Sequence, residues 1–178
     1  INGELAVSKQ YQEQKLVGYE NGISKLYTVY DALELKSVIE VLLNIPKVVR
    51  QLTGEKNISV YIVQKQSGFA RRFAFIGKPS TIVPSTFRYV NREGFKRVID
   101  RREVYMNRYL DTEMPSIIVP VLVNEEVVAI TVIEDYPLEK FTRYYLNLIQ
   151  ISGKIINSFC QKAANRQEVI AEIIYEEN

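Results

Sequence analysis

Pro115-Ser-Ile-Ile-Val-Pro-Val-Leu-Val-Asn-Glu-Glu-Val-Val-Ala-Ile-Thr-Val-Ile-Glu-Asp135 decides the reading of the fold. Two β-branched runs flank a polar break at Asn124-Glu125-Glu126, which predicts a hairpin with strands at 116–123 and 127–134. A long amphipathic helix follows at 138–175, roughly 55 Å at 1.5 Å per residue. It carries two apolar stripes. Phe141, Tyr145, Leu148, Ile155 and Phe159 make one. Ile149, Gly153, Ile156, Cys160, Ala163, Gln167, Ile170 and Ile174 make the other, at alternating three–four spacing. One stripe can cover a sheet while the other meets a second helix. Past Phe159 only the second stripe continues, so that end is expected to leave the domain body. Gly153, Cys160 and Ala163 on it permit close helix approach.

Upstream, Leu16, Tyr19, Ile23, Leu26, Tyr30 and Leu33 repeat at heptad spacing, a narrow seam that suits a partner helix. Gly18 and Gly22 weaken this helix or let a partner backbone approach. A second helix is predicted over 35–52, with a broad apolar face including Val38, Ile39, Leu42, Leu43, Ile45, Val48, Val49 and Leu52. Pro46 is expected to kink it, and Gly54 to cap its C-terminus. Strands are predicted at 57–63 and 70–76, joined by the turn Gln66-Ser67-Gly68. Residues 79–103 are irregular, with a short extended piece at 87–90 and a helix over 92–102 capped by Asn91. A short strand is predicted at 104–107.

Composition bounds the chemistry. The 178 residues, 47% hydrophobic and 25% charged, suit one folded domain with additional helix. Histidine is absent, which removes Ser-His-Asp and Cys-His nucleophiles and every His-ligated metal site. The single cysteine, Cys160, cannot form an internal disulfide, and it reads as a small packing residue in a reducing compartment. No apolar run approaches the roughly 20 residues of a membrane span. The chain starts at Ile1 rather than Met and reads as part of a longer protein. Net charge is +2 overall but uneven. Residues 65–108 hold 11 basic and 3 acidic side chains, whereas residues 109–178 hold 5 basic and 11 acidic ones. A positive field is expected over the central third and a negative one over the last.

The order helix, strand, strand, irregular segment with a helix, strand, hairpin, long helix resembles the GAF domain family over residues 35–159. Val48-Val-Arg-Gln-Leu-Thr-Gly54 leading into Ile58-Ser-Val-Tyr-Ile-Val63 is similar to the family's first helix and strand. Ser116-Ile-Ile-Val-Pro-Val-Leu-Val123 is similar to its proline-containing strand, and Val127-Val-Ala-Ile-Thr-Val-Ile-Glu-Asp135 to its final strand. The PAS fold shares the outline; the proline-containing hairpin and the long terminal helix favour GAF. The resemblance implies an α+β fold, a GAF-like, profilin-like and PAS-related antiparallel sheet of five or six strands. Helices lie on one face, a pocket lies under the loops on the other, and long helices flank the domain. It implies a cytoplasmic, non-catalytic sensory or regulatory module at 35–160. Residues 1–34 would be a dimerisation helix and 161–178 a helical extension toward a fused output domain. Ala129 stands where the family commonly has glycine. The cyclic-nucleotide signature is missing, no cysteine is placed for bilin attachment, and one cysteine is too few for the family's methionine sulfoxide reductases. No cofactor is expected.

A homodimer is expected through Leu16, Tyr19, Ile23, Leu26 and Tyr30 with Ile149, Gly153, Ile156, Cys160 and Ala163. Candidate ligand-binding residues are Phe75, Arg88, Tyr89, Arg92, Arg97 and Tyr105. Arginine recognises phosphate and carboxylate bidentately, so an anionic small molecule is the ligand class they suggest. The wider basic cluster adds Lys96, Arg101 and Arg102, and a solvated helix face is the simpler explanation of it. Arg97-Val-Ile-Asp100 matches the Arg-x-x-Asp pattern of cyclic di-GMP sites, over four residues only. The aromatic rings of this region read as core, although rings beside basic side chains also suit single-stranded nucleic acid. Glu125, Glu126, Glu134, Asp135 and Glu139 sit at turns, a strand end and a helix start, where acids are ordinarily solvated. A ligand-free dimerisation module is the alternative reading.

Overall fold

The structure, a computed structural model, describes residues 25, 28–30 and 33–177, with side chains as far as 168. The chain divides into a segment 1–32 and a body 33–178. Of the expected dimer seam, Leu16, Tyr19, Ile23 and Leu26 lie outside the described residues, while Tyr30 is helical and exposed.

Helix α1 runs Val38–Thr53. It begins later than position 35 because Leu35 adopts a left-handed φ of 57°, which no α-helix accommodates. Ser37 caps it, its Oγ accepting from the Glu40 N–H at 3.2 Å. Pro46 is buried on the body-facing side, and the helix continues past it to Thr53. Gly54 ends it as expected, in the left-handed conformation, its N–H donating to the Arg50 carbonyl at 2.8 Å.

Strands β1 (Asn57–Gln64) and β2 (Phe69–Ile76) form the first hairpin. Gly77 follows, with φ 76°; a Cβ there would collide with the Lys56 carbonyl, so glycine is required. Next come β3 (Thr86–Arg88), a 3₁₀ turn Tyr89–Asn91 and helix α2 (Glu93–Arg101). The intervening 3₁₀ turn moves the expected cap: Arg92, not Asn91, is the N-cap, and it makes no side-chain cap bond. Strand β4 (Tyr105–Met106) precedes the hairpin β5 (Ile117–Val123) and β6 (Glu126–Glu134). Its two-residue turn, Asn124-Glu125, has φ of 51° and 63°, a type I′ geometry. Helix α3 spans Arg143–Glu177. Glu139 is not in its first turn: a separate 3₁₀ turn, Leu138–Lys140, precedes it, and Phe141 leaves helical geometry.

The six strands form one antiparallel sheet in the order β3-β2-β1-β6-β5-β4. Pro120 is accommodated because it lies beyond the β4 pairing, which reaches only Ile118. The neighbouring outward N–H, that of Leu122, is satisfied by Asn157 Oδ1 at 2.9 Å instead of by a strand. Alternation along β5 and β6 sends Val119, Val121, Thr131 and Ile133 to one face, under α1 and α3. Ile118, Ile130 and Val132 point to the other, under α2.

The stripe Ile149, Gly153, Ile156, Cys160 and Ala163 does not form a free face of α3. All five residues are buried, and Gly153 approaches the sheet so closely that a Cβ would stand 3.0 Å from Val119 Cγ1. Within the body α3 packs against both α1 and the sheet, and these residues lie on its buried side. The exposed apolar side chains are others: Ile39 and Leu43 on α1, Tyr144 and Ile151 on α3. Polar side chains also tie α3 down. Gln161 exchanges two hydrogen bonds with Asn124 at the hairpin turn, and Arg166 Nη2 donates to the Lys36 carbonyl at 2.7 Å. The helix is thus still attached to the body at 166, beyond Phe159. Among the described residues no helix is long and apolar enough to cross a membrane.

Candidate functional site

The sheet face under α2 is the natural place for a site, because irregular backbone covers it. Register puts Tyr61 of β1 opposite Arg72 of β2 and Ile130 of β6, and Ser59 opposite Phe75 and Val132. Glu134 pairs with Asn57 two residues further along the same face. One end of this floor lies under α2 and the 3₁₀ turn, the other under the strap 78–85 that joins β2 to β3.

The α2 end is filled by the chain itself. Tyr61 meets Phe87 edge-on at 5.6 Å, and Phe87 meets Phe95 at 4.8 Å. Val98, Ile99 and Tyr89 complete a buried cluster with Ile118, Ile130 and Val132. The Arg92 guanidinium lies 4.8 Å from the Phe95 ring centre and 5.6 Å from that of Phe87, and Nη2 donates to the Glu113 carbonyl. Such cation–π seating closes the top of the stack.

Hydrogen bonds hold the strap end. Lys78 N–H donates to Asn57 Oδ1 at 3.0 Å. Ser80 Oγ accepts from the N–H groups of Ile82 and Val83, at 3.1 and 2.7 Å, and donates to Glu134 Oε1. Val83 is wholly buried in the cluster. Its carbonyl accepts from Tyr61 Oη and from Arg72 Nη2, each at 3.2 Å, and Arg72 Nη2 also donates to Tyr61 Oη at 3.2 Å. Arg72 lies 5.7 Å from the ring centres of both Tyr61 and Phe75, and its Nε is buried without a hydrogen-bond partner among the described residues. Burial pushes the Glu134 carboxyl up, against the Ser80 hydrogen bond, and burial likewise raises the Tyr61 phenol despite Arg72.

The candidate ligand residues fall into three places. Tyr89, Arg92 and Tyr105 belong to the filled end: Tyr89 is buried, its phenol raised by that burial, and Tyr105 packs against the cluster half-buried. Phe75 is exposed beside Arg72 at the strap end. Arg88 and Arg97 are exposed, Arg88 stacking 5.8 Å from the Phe69 ring centre. Two of the acidic candidates have structural partners. Glu126 pairs with Lys65, whose hydrogen bond lowers its carboxyl, and lies 3.9 Å from Arg102. Asp135 accepts from Asn57 at 2.8 Å.

Tyr61, Arg72, Ser80, Val83 and Glu134 are therefore the polar centre of this face, and sequence reasoning singled out only Glu134, as a solvated strand end. Arg72 was hidden by a β-bulge. The register steps from Val60↔Ala74 to Tyr61↔Arg72, so Phe73 is skipped and simple alternation misplaces every residue on one side of it. Cys160 is buried, and burial pushes its thiol up to about 12, a protonated and inaccessible group without nucleophilic character at neutral pH.

No protein-family model matches the sequence, and no curated protein matches it. Solved structures do. The GAF domain of a phosphoenolpyruvate-protein phosphotransferase from Coxiella burnetii superposes with a TM-score of 0.63 at 13% identity, over 85% of this chain and 98% of that one. The corresponding Acinetobacter domain gives 0.61 at 14% identity, over 83% and 97%. Free methionine-R-sulfoxide reductase from Neisseria meningitidis, solved with its substrate, gives 0.61 at 10% identity, over 79% and 89%. The body is thus a GAF-like domain of the α+β class.

Proposed function

We propose that this GAF-like domain is a non-catalytic regulatory module of a larger cytoplasmic protein, and that it rests closed. One observation carries the reading: the sheet face under α2 and the strap is packed with the chain's own Val83, Phe87, Tyr89 and Phe95. A domain built this way acts by rearranging its cover and helices and passing the change to a fused output domain, rather than by turning over a substrate. The buried, protonated Cys160 supports a non-catalytic role. The basic side chains around residues 88–102 favour an anionic effector over a neutral one.

The module works as a homodimer. Ile39, Leu43, Tyr144 and Ile151 are large apolar side chains left exposed on α1 and α3, and a second copy of the chain is the partner they suit. The heptad spacing of Leu16, Tyr19, Ile23, Leu26 and Tyr30 is a separate sequence feature that suits the same assembly. The same filled face favours a second reading, a permanently closed dimerisation scaffold that has no effector. Light scattering on the purified chain tests the assembly. A dimer is expected at micromolar concentration, and Leu43→Asp or Ile151→Asp should raise its dissociation constant at least about tenfold, a loss of one buried apolar contact. A chain monomeric at every concentration overturns the dimer.

A further inference from the structure

The strap satisfies part of a site that would suit a ligand better. Arg72 is a half-buried cation whose hydrogen bonds all go to neutral oxygens, the Val83 carbonyl and the Tyr61 hydroxyl, at the long distance of 3.2 Å. Its Nε, buried, has no hydrogen-bond partner among the described residues. A guanidinium matches a carboxylate through two parallel N–H···O bonds and a single carbonyl only poorly. What Val83 supplies is a branched apolar group in the core together with one accepting oxygen at Tyr61 and Arg72.

We propose that the strap is a built-in plug, with Val83 standing in for a small carboxylate that carries a branched apolar body. In the liganded state the carboxylate takes Arg72 Nε and Nη2 and the Tyr61 hydroxyl, and the branched group takes the space of the Val83 side chain. The strap then lifts from the sheet. This deepens the regulatory reading above by naming the effector class, and it rests on that reading. Glu134, the acidic group of this end, accepts from Ser80 and interacts electrostatically with Arg72 without a hydrogen bond to it. The Ser80 contact is also the latch: the same hydroxyl holds the Ile82 and Val83 N–H groups, so losing it loosens the plug while the Arg72 and Tyr61 side chains that receive the carboxylate are kept.

The test is an NMR titration of the full 178-residue chain with 3-methylbutanoate, and with the neutral 3-methylbutanamide as control. Shifts at Tyr61, Arg72 and Val83 are expected. Ser80→Ala should bind about tenfold more tightly, because a larger share of molecules is already open. The amide should bind at least about tenfold more weakly, as should Arg72→Gln, whose spectrum also reports whether it folds. Equal affinity for acid and amide, no tightening in Ser80→Ala, or no shift in Ser80→Ala at tens of millimolar would each overturn the plug. Light scattering on the same samples separates the two claims: absent binding with an intact dimer removes the plug and leaves the regulatory module.

Discussion

Thr131 Oγ1 is buried between the sheet and α3 with no hydrogen-bond partner among the described residues. A buried orphan hydroxyl carries a desolvation penalty, and an isosteric apolar replacement removes it. Thr131→Val should leave stability unchanged or raise it by up to about 1 kcal/mol, read by urea unfolding. A loss of that size would show the hydroxyl to be engaged. Glu134 gives a pH signature. Its folded-state carboxyl is raised by burial above the ordinary 4.5, so folding favours its protonated form. Its contribution to stability is complete below about 4.5 and is lost as pH rises through the raised value. Wild-type stability should therefore fall relative to Glu134→Gln across that window, and parallel curves for the two proteins would contradict the assignment. Neither residue was legible as special beforehand. Threonine in a β-branched run and glutamate at a strand end both look ordinary until the cover over each face is known.

The β5–β6 turn is the clearest case at the scale of elements. Asn124 and Glu125 both occupy left-handed φ, which asparagine tolerates and glutamate does not favour. Glu125→Gly should stabilise the protein by about 0.5–1 kcal/mol in thermal or urea unfolding, and destabilisation would mean the turn is held by something other than backbone preference. Elements were legible wherever periodicity ran undisturbed. The hairpin, β1, α1 and the long last helix all form where apolar spacing places them, because long uniform patterns fix which side is buried. Legibility failed at discontinuities: Leu35 and the 3₁₀ turns at 89–91 and 138–140 shift helix starts, and the bulge at Phe73 reverses the apparent facing of β2. The buried stripe of α3 was ambiguous for a different reason. Heptad spacing with small residues describes a close helix partner and a close sheet equally well, and only Val119 beneath Gly153 distinguishes them.

At the scale of the whole molecule, the closed face unites the account. A ring stack at one end and Val83 at the other leave a GAF-like body in which the cover over the sheet belongs to the core. A self-filled core is rigid while intact, and any effector must displace native contacts before it gains its own. The domain would then bind an effector with reduced apparent affinity and release it readily. The most direct measurement is native mass spectrometry of the protein as purified. Closure predicts no added mass, on a dimer at twice 20.6 kDa if the exposed faces of α1 and α3 pair. A retained small molecule, lost on denaturation, would contradict it and show that the face is open to a tightly held ligand.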